Sequence, residues 1–368
     1  MLSPARHRQV LSACLCFASA AHNRVNLPVY SFLIFMLKGH GASGWGTRVT
    51  PIAEAVETVN HGVDLVQESF EIALAPARSE PLPVAQSDIK PGDAGYLILK
   101  DKRLKNVQWI DLVKVSKWQT FVEVTLSVPW TTGALAAYWY AQHSGQGWWS
   151  AVAIFCCFYV FLTGLRQAHN AFHYSVGVPR WGCEALMTYL SVVMTGSMHA
   201  VQLNHLHHHR HNLSKDDVEG FTALLPWWQA MAVGPYFALK LHWFAFKIGK
   251  PANLRWVGID LAANLVLYAA AAWLYFGYQQ WWLAVYVITM WIGQCGTGFF
   301  AVWTVHHGCD NQQHIARTQR GWLKNLISYQ MFHHIEHHLF PAVPTCHWAK
   351  LGARIDEALP DLRTKSVY

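Results

Sequence analysis

The sequence has little charge, since only 13% of its 368 residues are Asp, Glu, Lys or Arg, against 53% hydrophobic residues. Soluble domains usually carry about a quarter charged residues, so this composition argues against a soluble globular protein and against intrinsic disorder. The 28 Lys and Arg exceed the 21 Asp and Glu without forming a dense basic run, which gives no indication of nucleic-acid binding. The eight cysteines contain no Cys-x-x-Cys pair, so neither a disulfide framework nor a cysteine-ligated zinc site is indicated.

Long apolar stretches follow residue 118, and a helix that crosses a bilayer needs about 20 residues. Four of them are predicted as transmembrane helices in two hairpins, at residues 124–141, 148–165, 261–278 and 282–304. The tight loops within the hairpins, 142–147 and 279–281, contain neither Lys nor Arg. Because positive charge is enriched in cytoplasmic loops, both tight loops are predicted outside and the remaining segments in the cytoplasm.

Two further apolar stretches, 185–202 and 223–246, are predicted as interfacial or re-entrant helices. The first is diluted by serine and threonine, and the second contains Lys240, which would cost about 3 kcal/mol at a bilayer centre. Counting both as spans would also move the histidines at 205–209 across the membrane from the other clusters. The sequence therefore predicts an all-α integral membrane protein with four transmembrane helices and a cytoplasmic helical cap.

Histidine is in excess, with 22 copies, and ten of them lie in four clusters. Within three clusters the spacing is i, i+4 or i, i+3, i+4, which places the imidazoles on one face of a helix. In the four-span topology every cluster lies on the cytoplasmic side. In chain order the clusters are His169 and His173; His205, His208 and His209; His306 and His307; and His334, His337 and His338.

Eight or nine imidazoles exceed the needs of one tetrahedral zinc ion, which takes at most four ligands. Imidazole suits iron, and this number can hold two metals while leaving positions open for dioxygen. Soluble diiron oxygenases use Glu-x-x-His pairs, and this sequence contains none. Residues 333–337 also fit the His-x-x-Glu-His pattern of inverted zinc proteases, in which Glu336 would be the general base. That interpretation leaves the other histidine clusters unexplained.

The three boxes, His-x-x-x-His and then His-x-x-His-His twice, resemble those of the membrane-bound fatty acid desaturase family and its related hydroxylases. The run from His333 to Pro341 resembles the third box closely, and the likeness extends over about residues 118–359. Family members also use a histidine after the last span, for which His307 is the better match and His306 the alternative. The resemblance implies as metal ligands His169, His173, His205, His208, His209, His307, His334, His337 and His338.

The resemblance implies two iron ions, dioxygen as co-substrate and a membrane lipid or acyl substrate that is desaturated. A lipid or carotenoid hydroxylase or ketolase would use the same site, and the boxes do not distinguish these reactions. A metal transporter with a histidine-rich cytoplasmic face is the alternative outside the enzymes. Transport requires ionisable groups along the spans, whereas these spans contain only scattered polar residues.

Carboxylates close to the boxes are candidates for accepting the second N–H of a metal-bound imidazole, which orients the ring. Such residues are separated from the boxes by only a few positions or lie within them. The candidates are Asp216, Asp217, Asp310 and Glu336.

The first 95 residues differ in character from the rest and are predicted to be an N-terminal extension of unknown role. Residues 96–368 are predicted to form the desaturase-like membrane domain. Some relatives carry a fused cytochrome b5 domain with a pair of haem-binding histidines. His40 and His61 resemble that pair poorly. A separate electron donor of the ferredoxin or cytochrome b5 type is therefore predicted.

Overall fold

The structure, a computed structural model, describes residues 90–367. The predicted extension lies outside these residues except for 90–95, as do His40 and His61, so its role and boundary stay predictions. The described chain is mostly helical and contains a two-stranded parallel sheet. Strand β1, Arg317–Thr318, pairs with β2, Lys365–Ser366, and Arg317 lies opposite Lys365.

The helices of the described residues have the following bounds in chain order. They are α1 (Lys117–Thr125), α2 (Val128–Ser144), α3 (Trp149–Phe172), α4 (Arg180–Val193), α5 (Met198–His211), α6 (Trp227–Ala232), α7 (Gly234–Ile248), α8 (Pro251–Tyr278), α9 (Trp282–His306), α10 (Trp322–Ile327), α11 (His334–Leu339) and α12 (Trp348–Ala358). Short 3-10 helices lie at Ile98–Lys100, Lys102–Asn106, Ile110–Val113, Gly220–Leu224 and Thr345–His347.

Three helices, α3, α8 and α9, are long and apolar enough to cross a membrane. They contain 24, 28 and 25 residues and correspond to the second, third and fourth predicted spans. Helix α9 is not uniform, because a π-helical segment, Gly298–Trp303, interrupts it before its last turn, Thr304–His306. These helices agree with the prediction of an integral membrane protein built from helices.

The first predicted span, residues 124–141, is not among those three. Helix α1 ends at Thr125, and α2 begins at Val128 and contains 17 residues. Pro129 accounts for the later start, since proline is accommodated in the first turn of a helix but disrupts its interior. Helix α2 packs against α3, and the small side chains of Ala134 and Ala137 are buried in that contact.

Neither interrupted apolar stretch forms a helix of spanning length within the described residues. The first divides into α4 and α5, which meet at a turn over residues 194–197 and pack against α8. The second divides into α6 and α7. Gly234, at the start of α7, lies so close to α9 that a Cβ atom there would be 1.8 Å from the Cys295 carbonyl oxygen. This backbone contact requires glycine.

Candidate metal centre

Seven histidines at the ends of α3, α5, α9 and α11 form two groups. The ligand nitrogens within a group lie within 4.8 Å of one another. The first group contains His169, His173, His205 and His337, and the second contains His208, His306 and His338.

Two more box histidines complete these groups. The Nε2 atom of His209 lies 2.6 Å from Nε2 of His337 and 3.1 Å from Nε2 of His205, in the first group. The Nε2 atom of His334 lies 3.0 Å from Nε2 of His306, in the second group. The structure thus brings together eight of the nine predicted site residues, and with His306 they form a group of five imidazoles beside a group of four.

Several imidazole nitrogens of these groups are buried without a hydrogen-bond partner among the described residues. They include both ring nitrogens of His169 and the Nε2 atoms of His173 and His338. A buried polar atom that makes no hydrogen bond lowers the stability of a folded protein, so such atoms are rare. A set of unpartnered nitrogens that converge in two groups fits two metal ions.

Burial also sets the protonation of the rings. Desolvation, followed by the charges of neighbouring imidazoles, lowers the pKa of His209, His334 and His337 well below the usual value of about 6.5. These rings are therefore neutral near pH 7, which is the form that binds a metal. Desolvation acts in the same direction at His208, but the charge of Asp217 and its hydrogen bond raise the pKa of this ring overall.

Two carboxylates determine which ring nitrogen faces into the groups. Nδ1 of His208 lies 2.7 Å from Oδ2 of Asp217, and Nδ1 of His205 lies 3.1 Å from Oε1 of Glu219. Because an ionised carboxylate only accepts hydrogen bonds, each Nδ1 carries the hydrogen and each Nε2 presents a lone pair to its group. This is the arrangement that orients metal-bound histidines in proteins.

Among the described residues, only one of the four predicted carboxylates contacts a ring of the two groups, namely Asp217. Asp310 accepts backbone amides of its own loop, and Asp216 is exposed. Glu336 is buried but binds Thr318 and Arg320 on the other side of α11. Glu219 was not predicted from the sequence, where its only signal is its position in the loop after the second box.

The ninth histidine is His306, whereas the sequence favoured His307. His306 belongs to the last turn of α9, and its Nδ1 lies 3.1 Å from the Ile315 carbonyl oxygen while its Nε2 faces the second group. His307 follows the end of the helix, its Nδ1 lies 2.8 Å from the Ala223 carbonyl oxygen, and its ring stacks on Trp303. The chain leaves the helix at His307, and the ring of this residue lies outside both groups, so the structure places His306 beside the other imidazoles instead of the predicted His307.

A buried ion pair ties the first box to distant segments. Glu123 of α1 is 1% exposed and accepts a hydrogen bond from Nε of Arg166 in α3 at 3.1 Å. Asn170 donates to the same carboxylate at 2.9 Å and accepts from the Thr345 amide at 3.0 Å. This network was not predicted from the sequence, although Arg166 and Asn170 lie on either side of His169 in the chain. These contacts fix the end of α3 against α1 and the segment that follows the third box.

Residues 146–366 match the sequence profile of the fatty acid desaturase family. The match covers more than half of the chain and includes every histidine of the two groups. No curated protein matches the chain. The protein belongs to the fatty acid desaturase family, and the resemblance inferred from the three boxes is confirmed. Membership in this family implies an oxidoreductase.

Proposed function

We propose that the protein is a membrane-bound, oxygen-dependent acyl-chain desaturase with a dimetal centre held by nine histidines. The observation that carries this proposal is the pair of converging imidazole groups in a chain of this family. Two iron ions held there would supply the dioxygen chemistry, in which O2, two protons, two electrons from a separate ferredoxin- or cytochrome b5-type donor and two hydrogens from the acyl chain give a double bond and two waters. The first ion would bind His169, His173, His205, His209 and His337, and the second would bind His208, His306, His334 and His338.

The residues of the chain would position the ions and shield them. Neutral imidazoles leave the positive charge of the ions undiminished, while Asp217 and Glu219 act from outside by fixing ring orientation. Trp348, fully buried, packs at ring-centroid distances of 5.3 Å from His169 and 5.2 Å from His337. This indole covers one side of the first group and keeps water from it.

The test of this function is product analysis by mass spectrometry of lipids from cells that express the full chain. Loss of two hydrogens from an acyl chain is the expected result, and purified active protein should contain close to two iron ions per chain. His337→Ala should abolish the product, whereas His143→Ala should not, because His143 is exposed and far from the boxes in sequence. Gain of an oxygen atom would instead identify a hydroxylase or ketolase, and activity with a single zinc ion would refute the diiron centre.

We also propose the four-span topology, with α2 as the first span and the histidine groups on the cytoplasmic side. Gln142 lies next to the loop between α2 and α3, and its Nε2 donates a hydrogen bond at 2.9 Å to Oε1 of Gln280 in the loop between α8 and α9. Both tight loops are therefore at one end of the bundle, opposite the histidine ends of α3 and α9. This arrangement supports a common outer side for the two loops.

Reporter tags inserted at Gly145 and Gln280 should be accessible from outside the cell. A tag beside Asp216 should be accessible only after permeabilisation, because the loop after the second box is then cytoplasmic. Accessibility of the Asp216 tag from outside would contradict the single cytoplasmic centre. Tags at both tight loops that are accessible only after permeabilisation would show that the topology is the reverse of the proposed one.

A further inference from the structure

Asp260 is a fully buried carboxylate in α8, one of the helices of spanning length. Asp260 directly precedes the predicted span 261–278, and a buried carboxylate needs hydrogen-bond donors around it to offset the loss of water. Four donors surround this carboxylate, which has about four acceptor positions. They are Thr188 Oγ1 at 3.1 Å, Ser197 Oγ at 2.8 Å, the His199 backbone amide at 3.2 Å and His199 Nδ1 at 2.8 Å.

His199 extends this cluster to α4. Its Nε2 lies 3.0 Å from Oε2 of Glu184, and its ring stacks on Trp256 of α8 at a centroid distance of 5.2 Å. The side chain of His199 is thus enclosed by two carboxylates and an indole, and it is 3% exposed. These contacts hold the first turn of α5 between α4 and α8.

The turn between α4 and α5 is held by further polar side chains from α7, α8 and α9. Thr195 in this turn has a φ of 61°, which is costly for a β-branched residue and persists only where the surroundings impose it. Three of the polar side chains that hold this turn donate to the carbonyls of residues 193–195 at 2.8–3.2 Å, namely Tyr268, Tyr286 and Gln294. The fourth, His242, accepts a hydrogen bond from the Ser197 amide at 3.0 Å.

Helix α5 connects this turn to both imidazole groups. It carries His205 of the first group and His208 of the second, and a rise of 1.5 Å per residue places His205 about 9 Å along the axis from His199. Over so short a distance a helix behaves as a rigid rod. A shift or rotation of its first turn is therefore transmitted to the ligand nitrogens.

We propose that Asp260 is a positioning residue of the metal centre, which fixes the axial position and rotation of α5 through Ser197 and His199. The inference rests on the proposed function, because it takes the histidines of α5 as metal ligands. Asp260 touches neither the metals nor the substrate in this role. It acts through a helix that presents ligands to both ions, where a misplacement of about 1 Å can reduce the rate by 10²-fold.

The test compares Asp260→Asn and Asp260→Glu in the purified full chain, with iron per chain, kcat and KM for the acyl substrate as readouts. Asp260→Asn leaves an amide that cannot accept from all four donors, so we expect kcat to fall by at least about tenfold. Iron content should fall as well, while KM should stay within about twofold because the acyl site is untouched. Asp260→Glu retains the carboxylate and should recover part of the lost kcat and iron.

Asn264→Leu is the matched control, because Asn264 is buried one turn further along α8 and its side-chain amide donates to the Asp260 backbone carbonyl within the same helix, which leaves the Asp260 carboxylate with its donors from α4 and α5. This variant should keep wild-type iron and kcat. Wild-type values in a monodisperse Asp260→Asn protein would overturn the proposal. Aggregation of both Asp260 variants beside a monodisperse Asn264→Leu would also overturn it, since Asp260 would then serve folding alone. Wild-type protein without iron or product would instead contradict the proposed function.

Discussion

His306→Ala should lose iron and abolish product formation, whereas His307→Ala should retain most of both. His306 is 1% exposed, and its Nε2 lies 3.2 Å from Nε2 of His208 and 3.0 Å from that of His334. Its removal would leave three imidazoles in the second group, and the ion there would lose a ligand that no neighbour can replace. Iron per chain by elemental analysis, with product by mass spectrometry, measures both effects.

His307→Ala is the matched control, since it removes the adjacent imidazole from the same turn of chain. It breaks the contact with the Ala223 carbonyl and the stacking on Trp303, so stability should fall by about 1 kcal/mol. Metal content should not change. The opposite pattern, with iron lost only in His307→Ala, would restore His307 as the ligand.

Asp217→Asn should weaken iron binding by about 10- to 100-fold, which is the usual effect of removing a carboxylate behind a metal-bound histidine. Burial opposes the charge of Asp217, but His208 and two backbone amides lower the pKa of this carboxyl to about 2, so it is ionised near pH 7. The amide of asparagine fits the same space and no longer compensates the charge that His208 shares with its metal. Competition with a soluble iron chelator gives the change in affinity.

Asp216→Asn provides the comparison for this prediction, because it changes the same charge at the next residue. Asp216 is exposed, so its replacement should leave iron affinity within about twofold of wild type, as expected for a surface charge. Equal weakening by both substitutions would show that the general charge of the loop matters and that the contact with His208 does not.

The three boxes were predictable because their information is local. Residues at i, i+3 and i+4 share a helix face wherever that helix docks, so the convergence of imidazoles within each box follows from helical geometry alone. Three of the four spans were predictable for a similar reason, since length and apolarity suffice. The start of α2 was misplaced because the local break before Pro129 overrides a continuous apolar stretch.

The division of the histidines between the two groups was not predictable. His208 and His209 are neighbours in sequence, yet one belongs to the second group and the other to the first. The choice of His306 depends on the π-helical segment Gly298–Trp303, which changes the direction of every later side chain in α9. Apolar periodicity contains no sign of such a segment, so the sequence favoured His307, whereas the structure places His306 in the second group.

The partners of the buried charges could not be predicted from the sequence either. Glu123 meets Arg166 across 43 residues, and Asp260 meets His199 across 61. In the sequence alone, each of these residues resembles an ordinary polar residue on the surface of a helix. Only tertiary packing reveals that each charge is buried and paired.

The contribution of α11 to both groups has a consequence for biosynthesis. His337 belongs to the first group, and His334 and His338 belong to the second, so neither is complete until the ribosome has passed residue 338. The hydrogen bond between Asn170 and Thr345, which joins the first box to the segment after the third, spans 175 residues. Contacts of this sequence separation form late, because the loop must close before they stabilise anything. If the proposed metal centre is correct, metal loading would follow synthesis, because a nascent chain holds only an incomplete set of these histidines.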